Sequence, residues 1–235
     1  MSTLPILILP GTLCTEAMFT QQILHLKQFT DNVSVVQFTN ETSLSEMADK
    51  VIQATHKQPV AIIGFSMGGI VALEVAKTHP HLIAKLAMVN SNCHADLPHR
   101  KANRSSQIKQ AQSGELLSLI KDVFMPNYLN QQRSDWQKLI IDMALTLGTD
   151  CFSAQVMAIE DRPDGLHILQ ALAADILIIG GLQDNICPVE HQLEMHKALP
   201  DSDLILLGNC GHFSPLEQTD KVSNALSQWY LSNNN

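Results

Sequence analysis

Three residues of this chain have the types that make a hydroxyl reactive, and each sits in a glycine-bearing loop directly after an apolar run. Ser66 lies in Gly64-Phe65-Ser66-Met67-Gly68, Asp184 closes Gly180-Gly181-Leu182-Gln183-Asp184, and His212 closes Gly208-Asn209-Cys210-Gly211-His212. A serine hydroxyl is a poor nucleophile at neutral pH. It needs a base within hydrogen-bond reach, and that base needs a carboxylate to fix its tautomer. The expected roles are therefore Ser66 as nucleophile, His212 as base and Asp184 as its orienting carboxylate. Met67, at a helix start, would point its backbone N–H at an oxyanion formed beside Ser66. Competing readings remain: Ser66 as an ordinary helix cap, a purely structural His212, or His94 as the base. Asp175 precedes its strand and would sit at the wrong end of a sheet.

The elements around these residues follow from hydrophobic pattern. Val60-Ala61-Ile62-Ile63 reads as a buried strand, and residues 69–79 as a helix ended by Pro80. Strand, sharp turn and helix is the setting in which a GxSxG serine is held in a strained backbone conformation. Further strands are expected over residues 5–9, 32–39, 85–90, 174–179 and 203–207. Helices are expected over 15–28, from Ser43 with a Ser43/Glu46 capping box, from Pro188, and over 215–229. A polar tail, 232–235, follows. This alternation is the grammar of an α/β chain: a mostly parallel sheet with helices on both faces. Ligands of such sheets bind at the carboxyl ends of the strands, where Thr12, Ser66 and Ser91 fall. Residues 94–170 break the rhythm, with helical periodicity at 115–124 and 134–147. They are expected to form a helical cap inserted into a single domain, 1–235, closing an apolar pocket over the strand ends; packing elsewhere on the sheet is the alternative.

Composition narrows the function classes. The 235 residues are 45% hydrophobic and 5% aromatic, and the formal net charge is −8. Such a balance argues against a nucleic-acid or anionic-membrane binder. No run approaches the ~18 apolar residues of a membrane span. Met1-Ser2-Thr3-Leu4-Pro5 has no basic leader pattern, and Cys14, Cys93, Cys151, Cys187 and Cys210 are odd in number, so a cytoplasmic location is expected. The cysteines are read as small buried hydrophobes rather than metal ligands, because no paired CxxC occurs. Arg100, Lys101, Arg104 and Lys109 cluster at the start of the inserted segment. They are either a solvated helix face or a landing site for an anionic substrate or an acidic acyl-carrier protein.

The ordered motifs resemble the α/β-hydrolase fold superfamily. Leu9-Pro10-Gly11-Thr12 is similar to its oxyanion loop, Gly64 to Gly68 to its nucleophile elbow, and Arg162-Pro163-Asp164 to a segment at the end of its cap. The loop from Gly180 to Pro188 resembles its acid loop, and Gly211-His212-Phe213 with Leu216-Glu217 its histidine loop. The resemblance is strongest to small serine carboxylesterases such as the pimeloyl-carrier-protein methyl ester esterase and enol-lactonase group. It implies a small-molecule ester substrate, an acyl-enzyme on Ser66, a second oxyanion N–H from Thr12, and neither cofactor nor metal. Three positions depart from the family pattern: Pro10 replaces a histidine, Thr219 replaces a proline, and only four residues precede Pro5 where the family has an antiparallel hairpin. A thioesterase or carbon–carbon bond hydrolase would use the same three side chains, and a non-catalytic receptor would keep the pocket as a ligand cup.

Overall fold

The computed structural model describes residues 4–232. Residues 1–3 of the leader reading, and the polar tail from residue 233 on, lie outside them. Six strands form one sheet in the order β2-β1-β3-β4-β5-β6, every pair parallel. They are β1 (Ile6–Leu9), β2 (Val33–Val35), β3 (Val60–Phe65), β4 (Ile83–Val89), β5 (Asp175–Gly181) and β6 (Asp203–Leu207). Helices α1 (Thr20–Leu26), α2 (Leu44–Ala54) and α3 (Met67–Thr78) connect the first four strands. Between β4 and β5 come α4 (Pro98–Gln110), α5 (Leu116–Ser118), α6 (Met125–Tyr128), α7 (Ser134–Glu160) and α8 (Leu166–Ala171). The chain closes with α9 (Val189–Ala198), α10 (Ser214–Glu217) and α11 (Thr219–Leu231).

The strands read as unbroken apolar runs because both faces of the sheet are covered. Successive residues point to opposite sides. Leu7, Ile62, Leu86 and Ile178 pack with Met47 of α2, Val71 of α3, Leu169 of α8 and Met195 of α9. Ile8, Ile63, Ala87 and Ile179 pack on the other side with Leu26 of α1 and with Leu226 and Trp229 of α11. At the amino end of β5, Asp175 pairs with Lys85 Nζ at 2.6 Å, far from any strand-end loop.

Departures from the sequence reading have local causes. Strand β2 stops at Val35, short of the expected 32–39. Beyond it Gln37 donates from its side chain to Cys14 O at 3.0 Å, and Phe38 O accepts Gln155 Nε2 at 2.9 Å, so these residues bond outside the ladder. The Ser43 hydroxyl caps α2 by accepting the Glu46 N–H, but Glu46 reaches back to Thr42 N rather than to Ser43. The closing helix breaks at Gln218 (φ −135°, ψ 47°) into α10 and α11. Thr219, where the family has proline, is the first residue of α11, a position proline also suits; its hydroxyl donates to Pro215 O.

The segment between β4 and β5 is helical but less regular than its periodicity implies. Helix α4 carries almost no apolar residues, which is why no periodic signal marks it. Gly114 (φ 91°) and Gly148 (φ 79°) leave helical geometry and kink the chain where they fall, and Ala111–Glu115 and Leu119–Phe124 form wider π-type turns. The expected helix end at 147 is thus the Gly148 kink, after which α7 resumes. By length and composition α7 would suit a membrane span. Half of its apolar 18-residue stretch is buried, however, with Ile140, Met143, Ala144, Phe152 and Val156 joined to the core.

Candidate active site

Ser66 occupies the turn between β3 and α3 with φ 50° and ψ −115°, a region that costs a non-glycine residue about 1–3 kcal/mol. The strain is held by bonds on both sides: Ser66 N–H donates to Val89 O at 3.0 Å, and the Ser91 hydroxyl donates to Ser66 O at 2.7 Å. Two glycines make the turn sterically feasible. A Cβ at Gly64 would stand 2.6 Å from the Gly69 backbone, and one at Gly68 would stand 1.9 Å from Leu9 O. Gly68→Ala should therefore push α3 from the end of β1. A loss of roughly 1–3 kcal/mol is expected, about 2–12 °C in a thermal melt of the purified variant.

The loops after β5 and β6 bring the other two residues to this turn. His212 Nε2 lies 2.9 Å from Ser66 Oγ, and His212 Nδ1 lies 2.8 and 3.0 Å from the two oxygens of Asp184. Both His212 and Asp184 are buried, at 3% and 4% exposure, so water does not compete for these bonds. Asp184 Oδ1 also accepts the N–H groups of Ile186 and Cys187, each at 2.8 Å, and Oδ2 accepts Asn90 Nδ2 at 2.9 Å. Burial disfavours the charge on Asp184. The neighbouring His212 ring and these donors outweigh it and hold the carboxyl below its ordinary range. An imidazole so placed can accept the Ser66 proton at Nε2 while Asp184 fixes its Nδ1–H.

Two backbone N–H groups complete the arrangement. Thr12 and Met67 both line the cavity beside Ser66, and among the described residues no protein acceptor takes up either N–H. The next residue, Leu13, has φ 56°, and its N–H donates to Gln155 Oε1 of α7 at 2.8 Å. The histidine loop is tied to the same helical segment. His212 N–H donates to Tyr128 O at 2.8 Å, and the Glu217 carboxylate accepts the N–H groups of Gly211 and Asn130 at 3.0 and 2.7 Å.

Several of these supporting residues escaped the sequence reading. Asn90 has φ 45° and holds Asp184 from the end of β4; its Oδ1 accepts the Ser214 hydroxyl. The only sequence signal for it is an amide closing a buried strand. Gln155 carries no local signal at all, since its partners Leu13 and Phe38 are more than a hundred positions away. His94, the alternative base, pairs instead with Asp164 and Glu194 at 3.2 and 3.1 Å and lines a separate small pocket.

All five cysteines are free and buried. Cys187 Sγ lies within 4.8 Å of ligating atoms on Asp184 and His212, a trio of metal-ligand types. The carboxylate and imidazole of that trio are already matched with one another. The thiol, pushed up to about 12 by burial, accepts from Asn92 Nδ2 at 3.3 Å. Of the basic cluster, Lys101 is exposed and pairs with Asp161, Lys109 is exposed, and Arg100 and Arg104 line the cavity that holds Ser66. That cavity has a volume of about 350 Å³ and is walled by strand-end loops and by α4, α6 and α7.

Comparison with known proteins agrees with this architecture. The 2-hydroxy-6-oxononadienedioate/2-hydroxy-6-oxononatrienedioate hydrolase of a Pseudomonas species is 24% identical over 202 residues, covering 83% of this chain and 71% of that protein. The pimeloyl-[acyl-carrier protein] methyl ester esterase of Neisseria meningitidis serogroup C is 25% identical over 174 residues, 71% of this chain and 68% of its own. Among solved structures, a thermophilic esterase from Thermogutta terrifontis superposes with a TM-score of 0.90 at 23% identity, over 97% of this chain and 89% of that one. The pattern of the alpha/beta hydrolase family matches residues 30–225, so with the sheet and its strand-end loops in view, the chain belongs to that family and is a hydrolase of the α/β fold.

Proposed function

We propose that the protein is a serine hydrolase that cleaves carboxylic esters through an acyl-enzyme on Ser66. The observation that carries this is the unbroken hydrogen-bonded line from Ser66 Oγ through His212 to Asp184, opening on a mostly apolar cavity. Ser66 Oγ attacks the ester carbonyl as its proton passes to His212 Nε2. The carbonyl oxygen becomes an oxyanion facing the Met67 and Thr12 N–H groups. Collapse expels the alcohol, which takes the proton from His212. Water then gives a proton to the same nitrogen and attacks the acyl carbon, releasing the acid and restoring Ser66.

The relatives favour esters and also supply the second reading, since the Pseudomonas protein is named for a dienedioate substrate. A fluorophosphonate probe should label Ser66 stoichiometrically, and a panel of methyl and p-nitrophenyl esters, acyl-thioesters and β-diketones should give multiple turnover fastest on esters. Labelling without multiple turnover would instead support a ligand receptor. Faster thioester or diketone cleavage would move the assignment to those classes.

A further inference from the structure

The cavity contains charge that ester cleavage does not use. Arg100, Arg104 and Arg162 line it, against a single carboxylate, Asp96, in a chain whose overall charge is −8. Arg162 has a protein partner at each of its three nitrogens. It forms an ion pair with Asp96 Oδ1 at 3.1 Å and donates to His94 O at 3.0 Å and to Ile159 O at 3.2 Å, and its side chain is buried. Arg104 gives its Nε to Asp96 Oδ2 at 2.5 Å, and among the described residues no protein acceptor takes its two terminal nitrogens. Arg100 makes no ion pair among the described residues. Its terminal nitrogens donate only to the carbonyls of Ile186 and Asn185, at 2.7 and 3.3 Å.

A guanidinium has five N–H donors, so both Arg100 and Arg104 hold donors in reserve within a partly desolvated wall. A cation placed there without a counter-charge is costly, and a planar carboxylate is the group whose geometry answers two guanidinium forks. The rest of the lining includes the apolar side chains of Phe65, Phe124, Phe152, Val156 and Ile159 and neutral amides such as Asn103 and Gln107. The cations of the same helix that face outward are Lys101, already paired with Asp161, and Lys109. Two of the four arginines and lysines of this helix thus line the cavity, and the outward-facing pair is only Lys101 and Lys109, which suits a small acid better than the surface of an acidic carrier protein.

We propose that Arg100 and Arg104 form an anion subsite, and that the preferred substrates are esters bearing a second, free carboxylate beyond an apolar chain: half-esters of dicarboxylic acids. This deepens the ester-hydrolysis reading and rests on it for turnover, although the subsite itself is tested without it.

Two measurements separate the claims. The first is the ratio of kcat/KM for monomethyl half-esters, from glutarate to suberate, to that for methyl alkanoates of equal length. The wild-type ratio should exceed about ten, and Arg100→Gln and Arg104→Gln should each reduce it by about tenfold or more, chiefly through KM. Taking the ratio within one variant cancels any loss common to both substrates. A wild-type ratio near one, or a ratio unmoved by either substitution, overturns the subsite. Acceleration only when the ester is attached to an acyl-carrier protein overturns it in favour of a protein-docking surface. The second is calorimetric binding of monomethyl adipate and of dimethyl adipate to Ser66→Ala protein. Tighter binding of the half-ester, lost in the Arg100→Gln background, supports the subsite even if no ester is turned over, whereas equal binding of the two overturns it.

Discussion

Ser66→Ala should give a folded protein whose ester kcat is lower by at least about 10⁴-fold, with substrate binding nearly intact. The effect is large because, in the proposed acyl-enzyme route, the hydroxyl is the only group in the line that bonds the acyl carbon. Its removal leaves His212 with nothing to deprotonate except water. The fold should survive because the side-chain hydroxyl is bonded to His212, while the strained turn is held by backbone and by Ser91: Ser66 N–H to Val89 O and Ser91 Oγ to Ser66 O. The melting temperature is expected to be unchanged or slightly raised. Retained multiple turnover of a short p-nitrophenyl ester by this variant would show that the hydroxyl is not the nucleophile.

Asp184→Asn is expected to lower kcat by roughly 10³–10⁴-fold at neutral pH, and the surrounding bonds say why. Oδ1 receives two backbone N–H groups, from Ile186 and Cys187, so the amide oxygen of asparagine must take that place. Its NH₂ then faces Asn90 Nδ2 and stands nearest His212 Nδ1, which lies 2.8 Å from the Oδ2 position and 3.0 Å from the Oδ1 position already filled by the two backbone N–H groups. Donor would meet donor unless the imidazole moves its proton to Nε2. In that tautomer the nitrogen facing Ser66 carries a hydrogen and cannot accept the serine proton. The check is kcat together with the imidazole nitrogen shifts in the NMR spectrum of nitrogen-15-labelled protein. A variant that keeps its Nδ1–H and loses less than about tenfold in kcat would contradict this account.

The parts of the molecule that can be read from sequence are those whose structure is dictated locally. The strand over 203–207 is predicted with the observed bounds, and β3 with its turn and α3 within a few residues, because apolar runs closed by glycine have one economical solution. The three chemical side chains are legible for the same reason, each lying just past such a run. Legibility fails where partners are distant. β2 is cut short by bonds from residues 14 and 155 that no local pattern carries. Helix α4 is missed because it turns little apolar surface to the core, and its arginines look like a solvated face until the cavity is seen between them. Asn90 is overlooked because its left-handed backbone and its bonds to Asp184 and Ser214 depend on the acid and histidine loops arriving together.

Gln155 and Tyr128 fasten the inserted helices to the reacting loops, the first through Leu13 N–H and Phe38 O, the second through His212 N–H. A roof joined in this way is unsuited to swinging clear like a door, since lifting it would leave the N–H groups of Leu13 and His212 without their acceptors.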